Sequence, residues 1–140
     1  SERQDKIRVD FSSCKNSEEI YKKIISYGKK LTIFDSDWKL EEFRVVGCQS
    51  LMYLRGFEKE GKVFFNAFSD ALISKGLASI LIEVYTGLSP KDILMNSPVF
   101  LKDLGILSSL TPGRANGIAS LHLKMKQEAL RLAVDQEVSS

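Results

Sequence analysis

The sequence has few of the residues that bind metals or cross-link small domains. Its 140 residues include two cysteines, Cys14 and Cys48, and one histidine, His122. Two cysteines allow at most one disulfide, which excludes a disulfide-rich scaffold. A structural zinc site usually takes four Cys or His ligands, and this chain offers three candidates. We therefore expect no permanent metal site.

The sequence also lacks a strong charge of one sign and a long apolar run. Its net charge is +2 with 27% charged residues, so nothing in the composition indicates a nucleic-acid partner. No apolar stretch approaches the roughly 20 residues that cross a bilayer, and the polar opening 1–6 lacks the apolar core of a signal peptide. We expect a cytoplasmic protein with reduced thiols and no membrane partner.

The length and the apolar content fit one hydrophobic core. With 140 residues, 44% of them hydrophobic, the chain is predicted to form a single domain over residues 1–140. Residues 1–15 are mostly polar, and they are either a loosely attached arm or a short element packed on the core. The sequence leaves both interpretations open.

Capping residues and apolar patterns predict several helices. Asn16 can cap a first helix, with Glu19 in capping-box register. Ser69 is predicted to cap a second helix, which we expect to be the central buried one because its apolar residues surround much of its circumference. Each of the three prolines, Pro90, Pro98 and Pro112, follows a serine or threonine and predicts a further helix start. The apolar residues of the central helix are Leu72, Ile73, Leu77, Ile80, Leu81 and Val84. The last helix is predicted to end at Val134, and Gly76 to allow close approach to a neighbouring element.

Three apolar segments favour extended backbone. They are 43–46, 51–57 and 62–68, rich in β-branched and aromatic residues and separated by short connections. The connection 58–61 ends in glycine, which is typical of a hairpin turn. We therefore predict an α+β fold with a three-stranded antiparallel sheet packed against several helices.

Cys48 lies at the break between the first two of these strand candidates. Free cysteine is among the most buried residue types, so a structural role is one interpretation. The preceding Gly47 and the following polar residues Gln49 and Ser50 favour an exposed turn instead, and a reactive thiol needs such partial exposure. Cys14 has no comparable surroundings and is interpreted as a structural or incidental thiol. His122, inside the last helix, is expected to be packed or solvent-facing rather than catalytic.

Three motifs in order resemble those of the SufE family of sulfur-acceptor proteins. They are Gly47-Cys48-Gln49-Ser50, then Ser69-Asp70-Ala71 with Lys75-Gly76-Leu77, and finally Leu110-Thr111-Pro112 with Arg114 and Gly117. The resemblance extends from about Asn16 to the last helix. The sequence departs from the family at Tyr53, where the family often has tryptophan, and at Gly113, where it often has serine. The implied fold is SufE/NifU-like.

The resemblance implies a sulfur acceptor and activator of a SufS-like cysteine desulfurase. Cys48 would carry persulfide sulfur toward a downstream scaffold of iron–sulfur cluster assembly. The pyridoxal phosphate would belong to the desulfurase, so this chain would need no cofactor. Gly47, Gln49, Ser50, Asp70 and Arg114 would contribute to the docking surface. For Arg114 a helix-bracing role is equally open, and for Asp70 a favourable interaction with the helix dipole.

The thiol also fits three other classes of protein. A non-carrying regulator would stimulate the desulfurase without Cys48. A thiol-based redox protein would pair Cys48 with a resolving cysteine, for which Cys14 is the one candidate. A cluster scaffold would need about four ligands, mainly cysteines, and this chain has too few unless it dimerises. In the carrier interpretation, we expect Cys48 to rest against apolar residues such as Leu51 or Leu72 until docking releases it.

Overall fold

The fold is built on one β-hairpin and a buried helix that follows it. The computed structural model describes residues 2–139 as an α+β arrangement. In chain order its elements are α1 (Glu2–Phe11), α2 (Ser17–Gly28), 3-10 turns at Ser36–Trp38 and Glu41–Phe43, β1 (Met52–Lys59), β2 (Lys62–Ser69), α3 (Leu72–Tyr85), α4 (Pro90–Met95), α5 (Phe100–Asp103) and α6 (Pro112–Ser139).

The predicted hairpin is present. Strands β1 and β2 pair antiparallel from Met52 opposite Ser69 to Lys59 opposite Lys62. The two residues between them, Glu60 and Gly61, both have positive φ, which matches the twist of a tight two-residue hairpin turn. Buried and half-buried residues alternate along both strands, so one face of the hairpin contributes to the core.

The prediction of a third strand at 43–46 is wrong. Glu41–Phe43 forms a 3-10 turn, and the pairing that follows is a single bridge between Arg44 and Tyr53. Gly47, with φ +93°, then turns the chain away from β1. The segment is therefore too short to continue along the strand.

Side chains of α6 occupy the edge of β1 where a third strand would have continued. Glu128 accepts a hydrogen bond from the Gly56 N–H at 2.9 Å, and Arg131 donates to the Gly56 carbonyl at 3.2 Å. Glu128 is buried and is also paired with Arg131. The strand edge is thus satisfied by the buried Glu128 and its exposed ion-pair partner Arg131 rather than by a neighbouring strand.

Helix α3 is the central buried helix, as predicted. Ten of its residues are buried, although Leu72 at its start is 62% exposed. Its glycine, Gly76, lies directly against α2: a Cβ added there would be 2.0 Å from the carbonyl oxygen of Ile24. The predicted cap at Ser69 is wrong, because Ser69 is the last residue of β2 and the cap position belongs to Ala71.

The N-terminal segment is a packed element, which settles the choice left open by the sequence. Helix α1 buries Gln4, Ile7 and Phe11 against the core. Arg3 donates a hydrogen bond to the carbonyl of Thr86, just past the end of α3. Ile7 and Phe11 are four residues apart and share a helix face, a pattern that the mostly polar composition obscured.

The other predicted caps have mixed outcomes. The Asn16 side chain accepts from the Glu19 N–H at 2.9 Å, and Ser89 accepts from Asp92 at 3.2 Å, so both of these caps are confirmed. The predicted helix at Pro98 instead begins at Phe100 with no side-chain cap. Helix α6 continues past the predicted end at Val134 to Ser139. Within residues 2–139, no helix combines the length and apolar character that a membrane span requires.

Candidate functional site

The Cys48 loop, defined as residues 47–50, lies against a face of α6 that carries two glycines, Gly113 and Gly117. A Cβ added to Gly117 would be 3.2 Å from the Cys48 sulfur, and one added to Gly113 would be 2.0 Å from the Gln49 amide nitrogen. Gly113 and Gly117 are one helical turn apart and face the same way. Glycine at both positions therefore allows the loop to approach the helix backbone.

The start of the loop meets the next turn of the same helix. Gly47 has φ +93°, a conformation that other residues rarely adopt. A Cβ added there would also be 2.6 Å from the Ser120 hydroxyl oxygen, so two separate constraints favour glycine. The loop thus runs antiparallel to α6, with Gly47 near Ser120 and Gln49 near Gly113.

A pair of hydroxyl groups lies beside the thiol. The Cys48 sulfur is 3.6 Å from the Ser50 hydroxyl oxygen, which lies 2.6 Å from the hydroxyl oxygen of Ser74 on α3. Cys48 and Ser50 are half-buried, whereas Ser74 is only 6% exposed. The thiol is therefore neither freely exposed nor packed as an inert core residue.

The thiol opens into a cavity of about 140 Å³ between the loop, α3 and α6. Its polar lining comes from Gln49, Ser50, Ser74 and Arg114, and its apolar lining from Met52, Ala71, Leu77, Ile118 and Leu121, together with Cys48 and Gly117. Such a lining of apolar walls with a few polar groups is typical of a small ligand or reaction site.

Arg114 lines this cavity and is half-buried. Its backbone N–H donates to the Thr111 hydroxyl at 3.4 Å. Its guanidinium makes no hydrogen bond or ion pair with any residue that the structure describes. Side-chain bracing of α6, one of the two roles left open for Arg114, is therefore not observed, and its charge is available to a ligand or partner.

Asp70 lies near the cavity but outside its lining. It is exposed, in the connection between β2 and Leu72, the first residue of α3. Of the residues named by sequence, the structure therefore brings Cys48, Gln49, Ser50 and Arg114 together at one cavity. Asp70 is placed at the surface beside it.

The thiol is partly covered at rest, because Cys48 is half-buried and packs against the hydrophobic core. Leu51 and Leu72, the two residues named as its cover, do not line the cavity beside it. The sulfur lies close to Gly117 of α6, where an added Cβ would be 3.2 Å away. Val46 and Leu51, which flank the loop, and Leu72, which follows the cavity-lining Ala71, are apolar and exposed, and we call these three residues the apolar rim.

The remaining cysteine and the histidine lie apart from the cavity lining. Cys14 is free and half-buried after α1. The His122 ring stacks on Tyr85 with centroids 5.2 Å apart, and its Nε2 is buried without a hydrogen-bond partner in the described residues. Burial, with a smaller contribution from Lys126, lowers the pKa of His122 to about 4, so its ring is neutral near pH 7. Of the two positions expected for His122, packed or solvent-facing, the structure shows the packed one.

Sequence reasoning did not single out Ser74 or Ser120. Ser74 carried one usable signal, because it is a polar residue on the apolar face of a helix that was expected to be buried. Ser120 carried none, since a serine on α6 is typical of an ordinary surface position. Within the described residues, no three His, Cys, Asp or Glu side chains are grouped so that they could hold a metal ion.

Comparison with known proteins identifies the family. A family model described as "SufE: Fe-S metabolism associated domain" matches residues 5–129. The chain belongs to the SufE family. The resemblance of its three motifs is thereby confirmed, and membership implies involvement in iron–sulfur metabolism.

Two relatives agree with this assignment. The chain is 37% identical over 131 residues to "SufE-like protein 1, chloroplastic/mitochondrial" of Arabidopsis thaliana, covering 93% of this chain and 35% of the relative. It is 35% identical over 116 residues to an uncharacterized SufE-like protein of Synechocystis, covering 83% of this chain and 73% of that protein. The chain thus spans about a third of the Arabidopsis protein.

A solved structure supports the fold alone. The solution structure of a hypothetical protein from Thermus thermophilus superimposes with a TM-score of 0.78 at 22% identity. The match covers 94% of this chain and 96% of the other. The α+β part of the fold prediction is therefore confirmed, with two strands in place of three.

Proposed function

We propose that this SufE-family protein accepts sulfur on Cys48 from a pyridoxal phosphate-dependent cysteine desulfurase, stimulates that enzyme, and passes the sulfur to iron–sulfur cluster assembly. The observation that carries the proposal is the position of the thiol. Cys48 lies on a loop beside a small, mostly apolar cavity that is also lined by Arg114, whose guanidinium has no partner among the described residues.

The transfer is an exchange between sulfur atoms. The Cys48 thiol loses its proton, and the thiolate attacks the outer sulfur of a persulfide on the donor cysteine. A bond forms between the Cys48 sulfur and that outer sulfur while the donor's S–S bond breaks. The electron pair leaves with the donor sulfur, which is released as a thiolate and takes up a proton. One persulfide and one thiol are consumed and one of each is formed, so no external oxidant or reductant is needed.

The cavity suits the product of this exchange. The persulfide extends Cys48 by one sulfur atom, and the adjoining space of about 140 Å³ has room for it. Apolar walls exclude water that would promote side reactions of an exposed persulfide. Arg114 supplies a positive charge in the same cavity, which favours an anionic persulfide or a carboxylate of the partner.

The surface around the loop suits docking to the desulfurase. The apolar rim of Val46, Leu51 and Leu72 is exposed, and Asp70 adds an exposed negative charge beside it. Apolar surface with a few flanking charges is the usual composition of a protein interface. Docking on this rim would bring the donor persulfide to the Cys48 loop.

The test is to incubate the protein with a cysteine desulfurase and free cysteine, and to measure peptide masses without reductant. We expect the Cys48 peptide to gain one reductant-labile sulfur atom, and the Cys48→Ser variant to gain none. Cys14→Ser is the matched control and should be loaded as fully as the unmodified chain. An active desulfurase that leaves Cys48 unmodified would contradict the carrier role, and stimulation retained by Cys48→Ser would then indicate a non-carrying regulator.

A further inference from the structure

A short hydrogen-bonded chain leads from the thiol into the interior. It joins the sulfur of Cys48 to the Ser50 hydroxyl at 3.6 Å and the Ser50 hydroxyl to the Ser74 hydroxyl at 2.6 Å. We propose that Ser74 is a positioning residue for sulfur transfer: it orients Ser50 to donate a hydrogen bond to the Cys48 thiolate. This inference rests on the proposed role of Cys48 as the sulfur acceptor.

Burial gives Ser74 little choice of partner. The residue is 6% exposed, and within the described chain Ser50 is the hydrogen-bond partner of its hydroxyl. A buried hydroxyl without a partner is unfavourable, so the bond to Ser50 is strongly maintained. Ser74 also sits on the first turn of α3, a rigid element, whereas Ser50 sits on a loop. The helix therefore fixes the position of the loop hydroxyl.

The direction of the two hydrogen bonds can follow the charge on the sulfur. With a neutral thiol, the S–H donates to Ser50 and Ser50 donates to Ser74. With a thiolate, Ser74 donates to Ser50, which frees the Ser50 proton for the sulfur. The change needs only rotation of two O–H bonds, because each hydroxyl both donates and accepts. Hydrogen bonds to a charged acceptor are stronger than neutral ones, so the pair favours the thiolate.

A purely structural role for the same bond makes a different prediction. If Ser74 only anchors the loop, its removal loosens the loop and exposes Cys48, which raises the thiol's reactivity at every pH. If Ser74 acts on the charge, its removal lowers reactivity near neutral pH and shifts the profile toward higher pH. The two roles are therefore distinguished by whether the reactivity of Cys48 rises or falls when Ser74 is replaced, and by whether the pH–rate profile shifts.

The experiment measures alkylation of Cys48 by iodoacetamide between about pH 5 and about pH 9, using the full chain in a Cys14→Ser background. Ser74→Val and Ser74→Thr form a matched pair, since valine and threonine have nearly the same shape and differ in the hydroxyl. We expect Ser74→Val to react about three- to tenfold more slowly at pH 7 than Ser74→Thr, with its pH–rate profile shifted upward.

Two further variants keep the test interpretable. Ser79→Ala removes another buried serine of α3 that does not line the cavity, and it should leave the profile unchanged. Ser50→Ala lies outside the helix and should reproduce the Ser74→Val shift even where Ser74→Val folds poorly. Identical pH profiles for the valine and threonine variants would overturn the proposal, as would faster alkylation in Ser50→Ala.

Alkylation needs no desulfurase, so its outcome is independent of the proposed function. Sulfur loading of Cys48 by the desulfurase is then compared in the same variants, and Ser74→Val should load more slowly than Ser74→Thr by a similar factor. Loading that fails in every variant, including the unmodified chain, would contradict the carrier role alone. Equal loading by the valine and threonine variants would contradict the role of Ser74 alone.

Discussion

Glycine permits close approach at two places in this protein, with different consequences. At the crossing of α2 and α3, a Cβ on Gly76 would meet the backbone of Ile24, 2.0 Å from its oxygen and 2.6 Å from its carbonyl carbon. At the Cys48 loop, a Cβ on Gly117 would first meet the sulfur of a side chain at 3.2 Å. One neighbour is the rigid backbone of a helix and the other is the end of a side chain on a loop.

This difference distinguishes the structural framework of α2 and α3 from the Cys48 loop at the candidate site. The α2–α3 contact fixes two helices that carry much of the core, so it cannot adjust without moving both. The loop contact borders a cavity and is made by the half-buried side chain of Cys48, which can shift by a few tenths of an ångström. The contact between the loop and α6 can therefore adjust more readily than the contact between α2 and α3.

The largest effect is expected from Gly76→Ala. The added methyl group overlaps backbone atoms of Ile24, and relief requires the two helices to separate, so we expect a loss of about 3 kcal/mol or more in the free energy of unfolding. Chemical denaturation measures it. A loss below about 1 kcal/mol would mean that the α2–α3 crossing adjusts as readily as the loop. That result would contradict the claim that the crossing is the more rigid of the two contacts.

A smaller loss of stability is expected at low pH, from the contact between α6, which supports the Cys48 loop, and α3. His122 of α6 stacks on Tyr85 of α3, and burial lowers its pKa from 6.5 to about 4. Between pH 6.5 and pH 4, His122 is protonated in the unfolded chain but stays neutral in the folded chain. Protonation therefore favours unfolding, and the free energy of unfolding decreases as the pH falls from 6.5 to 4. Since His122 is only partly buried, we expect about 1–2 kcal/mol.

His122→Phe tests this dependence, because it keeps an aromatic ring against Tyr85 and removes the titrating group. Denaturation at several pH values should show a flatter profile for the variant between pH 4 and 6.5. His122 is the only histidine, so no other imidazole contributes to the difference. Parallel profiles for the two proteins would exclude His122 as the source of the acid sensitivity.

The smallest effect on stability is expected from Gly117→Ala, which should cost less than about 1 kcal/mol because a loop side chain can move aside. The same methyl group displaces the Cys48 sulfur from α6, so alkylation of Cys48 should become about two- to fivefold faster. Alkylation of Cys14 in the same sample is an internal control and should not change. Unchanged Cys48 reactivity would show that the accessibility of the thiol does not depend on its contact with Gly117.

The parts of the fold that sequence predicted are those set by neighbouring residues. The caps at Asn16 and Ser89 and the turn at Gly61 depend on side chains within a few positions. The close approach at Gly76 was also predictable, since a glycine inside an apolar helix usually has a packing reason. In each case the local preference and the final structure agree.

The errors have long-range causes. The third strand fails partly because Glu128 and Arg131, far along the chain, occupy the edge of β1 at Gly56. The cap at Ser69 fails because strand pairing with Met52 takes that residue into β2. For the site, the Gly47–Ser50 motif identified the thiol, but the link from Ser50 to Ser74 depends on how the loop folds against α3.

A single-turnover transfer experiment tests the central claim most directly. A cysteine desulfurase is loaded with persulfide, freed of excess cysteine, and mixed with this protein, and the masses of both are followed without reductant. We predict that each sulfur atom lost by the desulfurase appears on Cys48, and that Cys48→Ser leaves the donor persulfide in place. A desulfurase that releases its sulfur at the same rate with either protein, while Cys48 stays unmodified, would contradict the account.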